Sequence, residues 1–118
     1  MQRIVLKSKI HNATITQVNL KYEGSLTIDE QLLEKADIAE NERVQVVNCN
    51  NGTRLETYVI TGEKGSGIIG LNGPAARLGN VGDIIHIITY AIVSEKELES
   101  FRPKVIILDK NNKIAVKK

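Results

Sequence analysis

The run from Ile84 to Val93 restricts the fold of this chain more than any other feature. It is rich in β-branched residues at odd and even positions alike, which is typical of a strand covered on both faces. The run therefore predicts a strand that is buried on both sides or that lies at a subunit contact. His86, Thr89 and Tyr90 interrupt it, and it is too short to span a bilayer.

Other strand-like runs surround this one, and polar turns separate them. They are expected at residues 3–11, 14–20, 43–49, 54–61, 104–108 and 114–116. Asn51-Gly52 stands between two of the runs and is a strong hairpin signal. The stretch from Gly62 to Gly67 predicts a second hairpin, and Asn111-Asn112 predicts a closing one.

Helical signals are short. Thr27 with Glu30 three residues later has the form of a capping box, and Ser94 with Glu97 repeats it. Pro74 to Leu78 predicts one helical turn. The expected fold class is therefore mainly β with short helices.

A faint internal repeat relates residues 38–47 to residues 79–88. In each, a polar turn that ends in an acidic residue leads into an apolar strand. Two related halves predict a small pseudo-symmetric β-barrel, which leaves few exposed strand edges.

Composition and residue spacing disfavour several kinds of function and site. The 118 residues suit one domain, and a net charge of +2 with 3% aromatic residues does not favour nucleic-acid binding. The single cysteine, Cys49, cannot form an internal disulfide, and a reducing cytoplasm is the expected compartment. His11 and His86 have no cysteine or carboxylate at ligand spacing, so no metal site is expected.

Tyr22-Glu23-Gly24-Ser25 carries the most specific chemistry. The Ser25 hydroxyl can attack the Gly24 carbonyl and convert the amide into an ester. Elimination across the serine then leaves a ketone at the new amino terminus. Glycine tolerates the unusual backbone angles that such an attack requires. Taken alone, a Gly-Ser pair most often marks a turn.

Side-chain alternation groups further polar residues. Lys9 and His11 point to one side of a strand, and so do Arg54 and Tyr58, whereas Thr57 points to the opposite side. Each pair taken singly is typical of a solvated surface.

In combination, these motifs resemble the aspartate α-decarboxylase family, whose members are pyruvoyl-dependent enzymes. The resemblance is carried by Lys9-x-His11, Tyr22 to Ser25, Asn51-Gly52, Arg54, Thr57-Tyr58, Gly65-Ser66, Asn72-Gly73, Ala75-Ala76, Val81-Gly82-Asp83 and Arg102-Pro103. One departure is Pro74, where alanine is expected, and proline removes a backbone N–H donor.

The resemblance implies a double-psi β-barrel and a self-processing proenzyme. The chain would divide between Gly24 and Ser25 into residues 1–24 and 25–118, and Ser25 would become the pyruvoyl group. That group, with no metal and no pyridoxal phosphate, would decarboxylate L-aspartate to β-alanine through an imine, a step toward pantothenate and coenzyme A.

Residue roles also follow from the resemblance. Thr57, and less strongly Asn72 and Tyr22, would assist cleavage, and Tyr58 would donate the proton to the α-carbon. The expected substrate-binding residues are Lys9, His11, Arg54, Thr57, Gly73, Pro74 and Ala75. Which carboxylate of aspartate Lys9 or Arg54 holds stays open, as does the charge of His11.

Thr57 and Tyr58 are adjacent, so serving one centre requires a bulge or a site between subunits. The family is homotetrameric with sites at subunit interfaces, which agrees with the second alternative. Two other interpretations stay open: a non-enzymatic barrel that binds nucleic acid or protein, and a pyruvoyl decarboxylase for another amino acid.

Overall fold

The computed structural model describes all 118 residues, which form nine strands and three short helices. The mainly β prediction is confirmed. The strands are β1 Gln2–Thr14, β2 Gln17–Asn19, β3 Ser25–Asp29, β4 Arg43–Asn48, β5 Arg54–Gly62, β6 Ile69–Asn72, β7 Ile84–Ser94, β8 Lys104–Leu108 and β9 Ile114–Lys117. The helices are α1 Glu30–Ala36, α2 Glu95–Leu98 and a 3₁₀ helix Gly73–Leu78.

Hydrogen-bonded neighbours in the sheet have the order β2-β6-β3-β5-β4-β7-β1-β8-β9. β1 pairs with β7 as far as Thr14, and β2 then runs parallel to β6. Between them the Thr16 N–H donates to the Ile69 carbonyl at 2.9 Å. The first segment of the chain thus joins β7 to β6, which is consistent with the small barrel that the sequence predicts.

The barrel interior is one cluster of 18 buried apolar residues. Ile10, Ile28, Leu71 and Ile87 are fully buried members of it. α1 covers one end, because Leu32, Leu33 and Ala36 recur at helical spacing on its inner face. This core fixes the strand register and hence the positions of the functional side chains.

The internal repeat is visible in matching hydrogen bonds. Asn41 N–H donates to the Val59 carbonyl at 2.8 Å, and Gly82 N–H donates to the Ile15 carbonyl at 2.8 Å. Asn41 and Gly82 occupy equivalent repeat positions, and both have positive φ. Their acidic neighbours Glu42 and Asp83 each accept a backbone N–H three residues upstream. The two halves are therefore related by local pseudo-symmetry, while the double-psi topology stays a prediction.

Several local predictions are confirmed. The Asn51-Gly52 turn joins β4 to β5, and β8 pairs with β9 around Asn111-Asn112. The Ser94–Glu97 capping box is present at the start of α2.

Two local predictions are wrong. Thr27 is not a helix cap, because it lies within β3 and the Asp29 carboxylate caps α1 through Gln31 N–H. Gly62 to Gly67 does not form a hairpin of adjacent strands, because β3 lies between β5 and β6. In each case a strand that pairs with distant segments overrides the local signal.

The prediction that the Ile84–Val93 run is buried on both faces is also wrong for the single chain. Ile85 and Ile87 face the core, whereas Ile92 is 66% exposed and pairs with Ile4, which is 73% exposed. The subunit-contact alternative for this run stays open.

None of the helices combines the length and the apolar composition needed to cross a membrane.

Candidate active site

Ser25 opens β3 and has no exposed surface. Asn72 lies directly opposite in β6, and its Nδ2 donates to Ser25 Oγ at 2.9 Å. The Ser25 hydroxyl donates to the Glu23 carbonyl at 3.3 Å. The buried Ser25 hydroxyl is therefore held in place next to the Gly24–Ser25 peptide bond.

The amide of Asn72 has a second partner. Its Nδ2 also donates to Thr27 Oγ1 at 2.9 Å. Ser25 and Thr27 are two apart on β3, so their side chains point to the same face. The two hydroxyls together use both N–H bonds of the amide and fix its orientation.

Gly73 allows the 3₁₀ helix to approach Gly24. Its φ is +66°, and a Cβ there would lie 2.7 Å from the nitrogen and Cα of Gly24 and 2.8 Å from the Tyr22 carbonyl oxygen. Pro74 packs next, its Cδ 3.5 Å from an ideal Gly24 Cβ. Pro74 stands in the first turn of the helix, where a missing N–H costs no helical hydrogen bond.

A cavity of about 310 Å³ opens beside Gly24. Thr57, Pro74 and Ala75 line it. The structure thus brings the predicted cleavage residues Gly24, Ser25, Thr57 and Asn72 together with the small-residue wall, whereas the Tyr22 side chain is 50% exposed.

The remaining predicted residues, Lys9, His11, Arg54 and Tyr58, lie on the outer face of the sheet. The register places Arg54 beside Val47, and Val47 beside His86. The His86 ring stacks on the ring of His11. Strand pairing therefore gathers these side chains on one outer surface, which we call the outer half-site, away from the Ser25 cluster.

Two cationic side chains of the outer half-site form no ion pair within the chain. The four ion pairs of the chain are Arg3–Glu95, Lys7–Glu42, Arg43–Glu56 and Lys64–Glu34. Lys9 and Arg54 belong to none of them. Lys7, which shares a side with Lys9, donates to Glu42 at 2.7 Å. Lys9 and Arg54 are therefore the cations of this surface that can bind an anionic ligand.

Thr57 and Tyr58 point to opposite faces of β5. Thr57 lines the Gly24 cavity, whereas Tyr58 is 37% exposed on the outer face. The pairing of β4 with β5 is regular from Arg43–Tyr58 to Val47–Arg54. The bulge alternative is therefore wrong for this segment, and the alternative of a site between subunits remains.

His11 and His86, which are distant in sequence, come together in the fold. Their ring centroids are 4.0 Å apart, and Cys49 Sγ lies 3.2 Å from His86 Nε2. Burial, Lys9 and Lys118 lower the pKa of His11, and burial, His11 and Lys9 lower the pKa of His86. No group of three or more His, Cys, Asp or Glu side chains is arranged to hold a metal ion.

Sequence reasoning did not find the roles of Thr27 and His86. Thr27 was interpreted as a helix cap, although its spacing of two from Ser25 already placed both on one strand face. The His86 ring accepts a hydrogen bond from the Asn12 N–H and contacts Cys49 Sγ, and no short-range pattern indicates either contact.

The aspartate decarboxylase family model matches residues 1–115. The aspartate 1-decarboxylase of Thermoanaerobacter pseudethanolicus is 59% identical over 113 residues, which cover 96% of this chain and 97% of that protein. The aspartate 1-decarboxylase of Acetivibrio thermocellus is 61% identical over 110 residues, covering 93% and 87%. That of Bacillus cereus (strain B4264) is 54% identical over 114 residues, covering 97% and 90%. Ser25 is buried and hydrogen-bonded to Asn72, and the similarity to these proteins extends over almost the whole chain. The chain therefore belongs to the aspartate decarboxylase family.

Proposed function

We propose that this protein decarboxylates L-aspartate to β-alanine and carbon dioxide, with a pyruvoyl group that it makes from Ser25. The product feeds pantothenate and coenzyme A synthesis in the cytoplasm. The observation that carries the proposal is the buried Ser25 hydroxyl, held by Asn72 next to the Gly24 linkage.

Maturation begins when Ser25 Oγ attacks the Gly24 carbonyl carbon and the Gly24–Ser25 C–N bond breaks. The chain is then joined by an ester and carries a free Ser25 amine. Elimination removes the Ser25 Cα proton, forms the Cα–Cβ double bond, breaks the Cβ–Oγ bond and releases Gly24 as a carboxylate. Water then replaces the nitrogen of the resulting dehydroalanine, ammonia leaves, and residues 1–24 and 25–118 remain associated without a covalent link.

Thr57 and Asn72 assist the first step. An oxyanion forms on the former Gly24 carbonyl, and a hydroxyl donor at that position is worth a few kcal/mol. Thr57 lines the cavity beside Gly24 and is the candidate donor. Asn72 holds Ser25 Oγ, and Tyr22 contributes its backbone at the contact with Gly73.

The residues present fit a pyruvoyl group. It keeps the carbon skeleton of Ser25, so the buried space that Ser25 fills accommodates it, and the Asn72 amide is positioned to donate to it. When formed, the group supplies an electron sink for the bond that breaks on loss of carbon dioxide. Gly73, Pro74 and Ala75 form a close wall beside it.

The outer half-site supplies what a dicarboxylate substrate requires. Arg54 offers a planar bidentate donor and Lys9 a point charge, and both are free of ion pairs. His11 adds a polar ring next to Lys9. Tyr58 is the proton donor to the α-carbon after carbon dioxide leaves.

A complete site requires more than one copy of the chain. Thr57 faces the Gly24 cavity and Tyr58 faces away, so the Tyr58 that serves a given Ser25 comes from a neighbouring subunit. The exposed pair Ile4 and Ile92 lies beside a cavity of about 420 Å³ on the outer face, which supports burial against another copy. These observations support an assembly of more than one copy with active sites between subunits, and the family resemblance implies that the assembly is a homotetramer.

Denaturing mass spectrometry tests the proposal. Wild-type protein incubated at elevated temperature is expected to give two fragments that part between Gly24 and Ser25, and a carbonyl-trapping hydrazine is expected to label the new terminus of 25–118. Ser25→Ala is expected to stay whole. Uncleaved wild-type protein that still converts aspartate would reject the pyruvoyl mechanism.

Substrate assays separate aspartate from related amino acids. Cleaved protein is expected to release carbon dioxide from aspartate and much less from glutamate or neutral amino acids. An equal rate with glutamate would indicate a pyruvoyl decarboxylase of other specificity.

A further inference from the structure

The ring of His86 is held by contacts that fix its proton. The backbone N–H of Asn12 points at His86 Nδ1 at 3.1 Å, so Nδ1 accepts a hydrogen bond and carries no proton. The proton of the neutral ring then sits on Nε2, which faces Cys49 Sγ at 3.2 Å. If His86 Nδ1 carried a proton, its N–H would point at the Asn12 N–H, and the hydrogen bond between them would be lost.

The Asn12 donor is itself fixed by the fold. The pairing of β1 with β7 shifts register between Ile10 and Ala13, and Asn12 takes a positive φ of 64° inside this irregularity. Asparagine tolerates this conformation better than most residues. The bulge turns His11 toward His86 and directs the Asn12 N–H into the His86 ring.

The two imidazole rings lie face to face. Their planes differ by 9°, so His86 covers one face of the His11 ring. Lys9 on β1 and Lys118 after β9 are the charges that act on His11, and β8 contributes the apolar Ile107 beside it. Arg54 lies on the same surface, two strands away from His86, and the Cys49 thiol touches the far edge of His86.

We propose that His86 is a positioning residue, a fixed uncharged platform that holds the His11 ring in one orientation beside Lys9 in the outer half-site. His86 itself does not touch substrate. The inference rests on the proposed function, because that function identifies the ligand as L-aspartate. The His11 ring then contacts this ligand as a neutral group and not as a second cation beside Lys9.

Histidine NMR tests the platform without any enzyme assay. The chain has two histidines, so His11→Asn and His86→Asn assign every imidazole signal. In wild-type protein near neutral pH, nitrogen shifts are expected to show His86 protonated on Nε2 and bare on Nδ1. A proton on His86 Nδ1 would overturn the inference even if no substitution folds.

Substitutions then test the effect on His11. His86→Ala uncovers the His11 ring, so the His11 titration midpoint is expected to rise toward about 6.5. His86→Phe keeps a flat cover and is expected to leave the midpoint close to that of wild type. Cys49→Ser, the matched control, is expected to change neither the His86 tautomer nor the His11 midpoint, since Asn12 fixes the ring.

Kinetics connect the platform to substrate. His86→Ala is expected to raise KM for aspartate roughly fivefold with a smaller change in kcat and an unchanged rate of self-cleavage. An unchanged His11 midpoint together with an unchanged KM would refute the role. If wild-type protein neither cleaves nor turns over aspartate, the proposed function fails and the NMR result alone decides whether the platform exists.

Discussion

At the scale of single residues, the hydrogen bond to Thr27 orients the Asn72 side-chain amide toward Ser25. Thr27→Val keeps the β-branched shape and removes the acceptor at 2.9 Å, so the Asn72 amide can rotate away. Self-cleavage is expected to slow roughly tenfold, which corresponds to about 1.4 kcal/mol in the barrier. The rate is measured by mass spectrometry on freshly purified precursor.

Thr27→Ser is the matched control for this substitution. It keeps the hydroxyl and is expected to cleave near the wild-type rate, although it loses a methyl group. Equal slowing in the serine and valine variants would assign the effect to packing and contradict the orienting role of Thr27.

Residues with local chemistry were predictable, and residues defined by cross-strand contacts were not. Sequence motifs and a family resemblance predict roles for Gly24-Ser25 and Asn72, and these roles stay predictions. The second bond of Asn72 to Thr27 and the stacking of His86 on His11 depend on strand register, which distant segments fix together.

At the scale of elements, the junction of β6 with the 3₁₀ helix holds Gly24 by close backbone contact. Gly73→Ala would drive a Cβ to 2.7 Å from the Gly24 backbone at a φ of +66°. We expect self-cleavage to slow at least roughly tenfold and the free energy of unfolding to fall by about 2–4 kcal/mol. Cleavage kinetics and chemical denaturation measure the two effects.

Gly52→Ala provides a control with the same kind of backbone cost. Gly52 has a φ of +75°, and a Cβ there meets nothing within 4 Å. It is expected to lose about 1–2 kcal/mol of stability from the left-handed conformation and to cleave normally. If both variants cleaved at one rate, contact with Gly24 would not explain the need for glycine at position 73.

Asp29 joins β3, α1 and the glycine-rich turn after β5. Burial opposes its ionisation, but hydrogen bonds from the Gly67, Gly65 and Gln31 N–H groups lower its pKa. Because the folded pKa is depressed, Asp29 stabilises the fold above its unfolded pKa, about 3.9, and this stabilisation is lost as the pH falls through the folded pKa.

Asp29→Asn is therefore expected to lower the free energy of unfolding near neutral pH by about 1–3 kcal/mol. Its stability should also depend less on pH in the acidic range than that of the wild type. Asp37→Asn is the control, since Asp37 is exposed with a φ of 58° that asparagine tolerates, and its effect should stay within about 0.5 kcal/mol. Denaturant titrations over a pH series measure all three proteins.

Hairpin predictions are confirmed where strands that follow each other in the sequence pair, and wrong where another strand lies between them. The Asn51-Gly52 turn joins β4 and β5, whose pairing is local. The turn after Gly62 carries similar glycine signals, but β3 inserts between β5 and β6 by pairing with both. No short-range pattern encodes that insertion, because the segments involved are far apart in the chain.

At the scale of the whole molecule, the fold separates the proposed site residues of one chain into two groups. Ser25 is hydrogen-bonded to Asn72 next to Gly24, and Thr57 lines the cavity beside Gly24. Lys9, Arg54 and Tyr58 lie on the outer face. The sequence predicts that Thr57 and Tyr58 face opposite ways but leaves a bulge open, and the regular register of β5 removes the bulge and separates the two groups. In the proposed assembly, the outer half-site of one chain works with the Ser25 cluster of a neighbour.

Mixed oligomers test this division directly. Ser25→Ala retains Tyr58 but forms no pyruvoyl group, and Tyr58→Phe is expected to cleave yet lose most β-alanine formation. Each variant alone should be nearly inactive. Co-expressed in equal amounts, they should regain about a quarter of wild-type turnover per chain, because random pairing unites intact half-sites in that share of interfaces.

The control pairs Tyr58→Phe with a Ser25→Ala, Tyr58→Phe double variant, which leaves no interface with both intact half-sites. This mixture should stay as inactive as its components. If the first mixture were equally inactive while native mass spectrometry showed mixed oligomers, Tyr58 would have to act on the Ser25 of its own chain. That outcome would require β5 to rearrange after cleavage, because in the regular strand the Tyr58 side chain points away from the cavity that Thr57 lines.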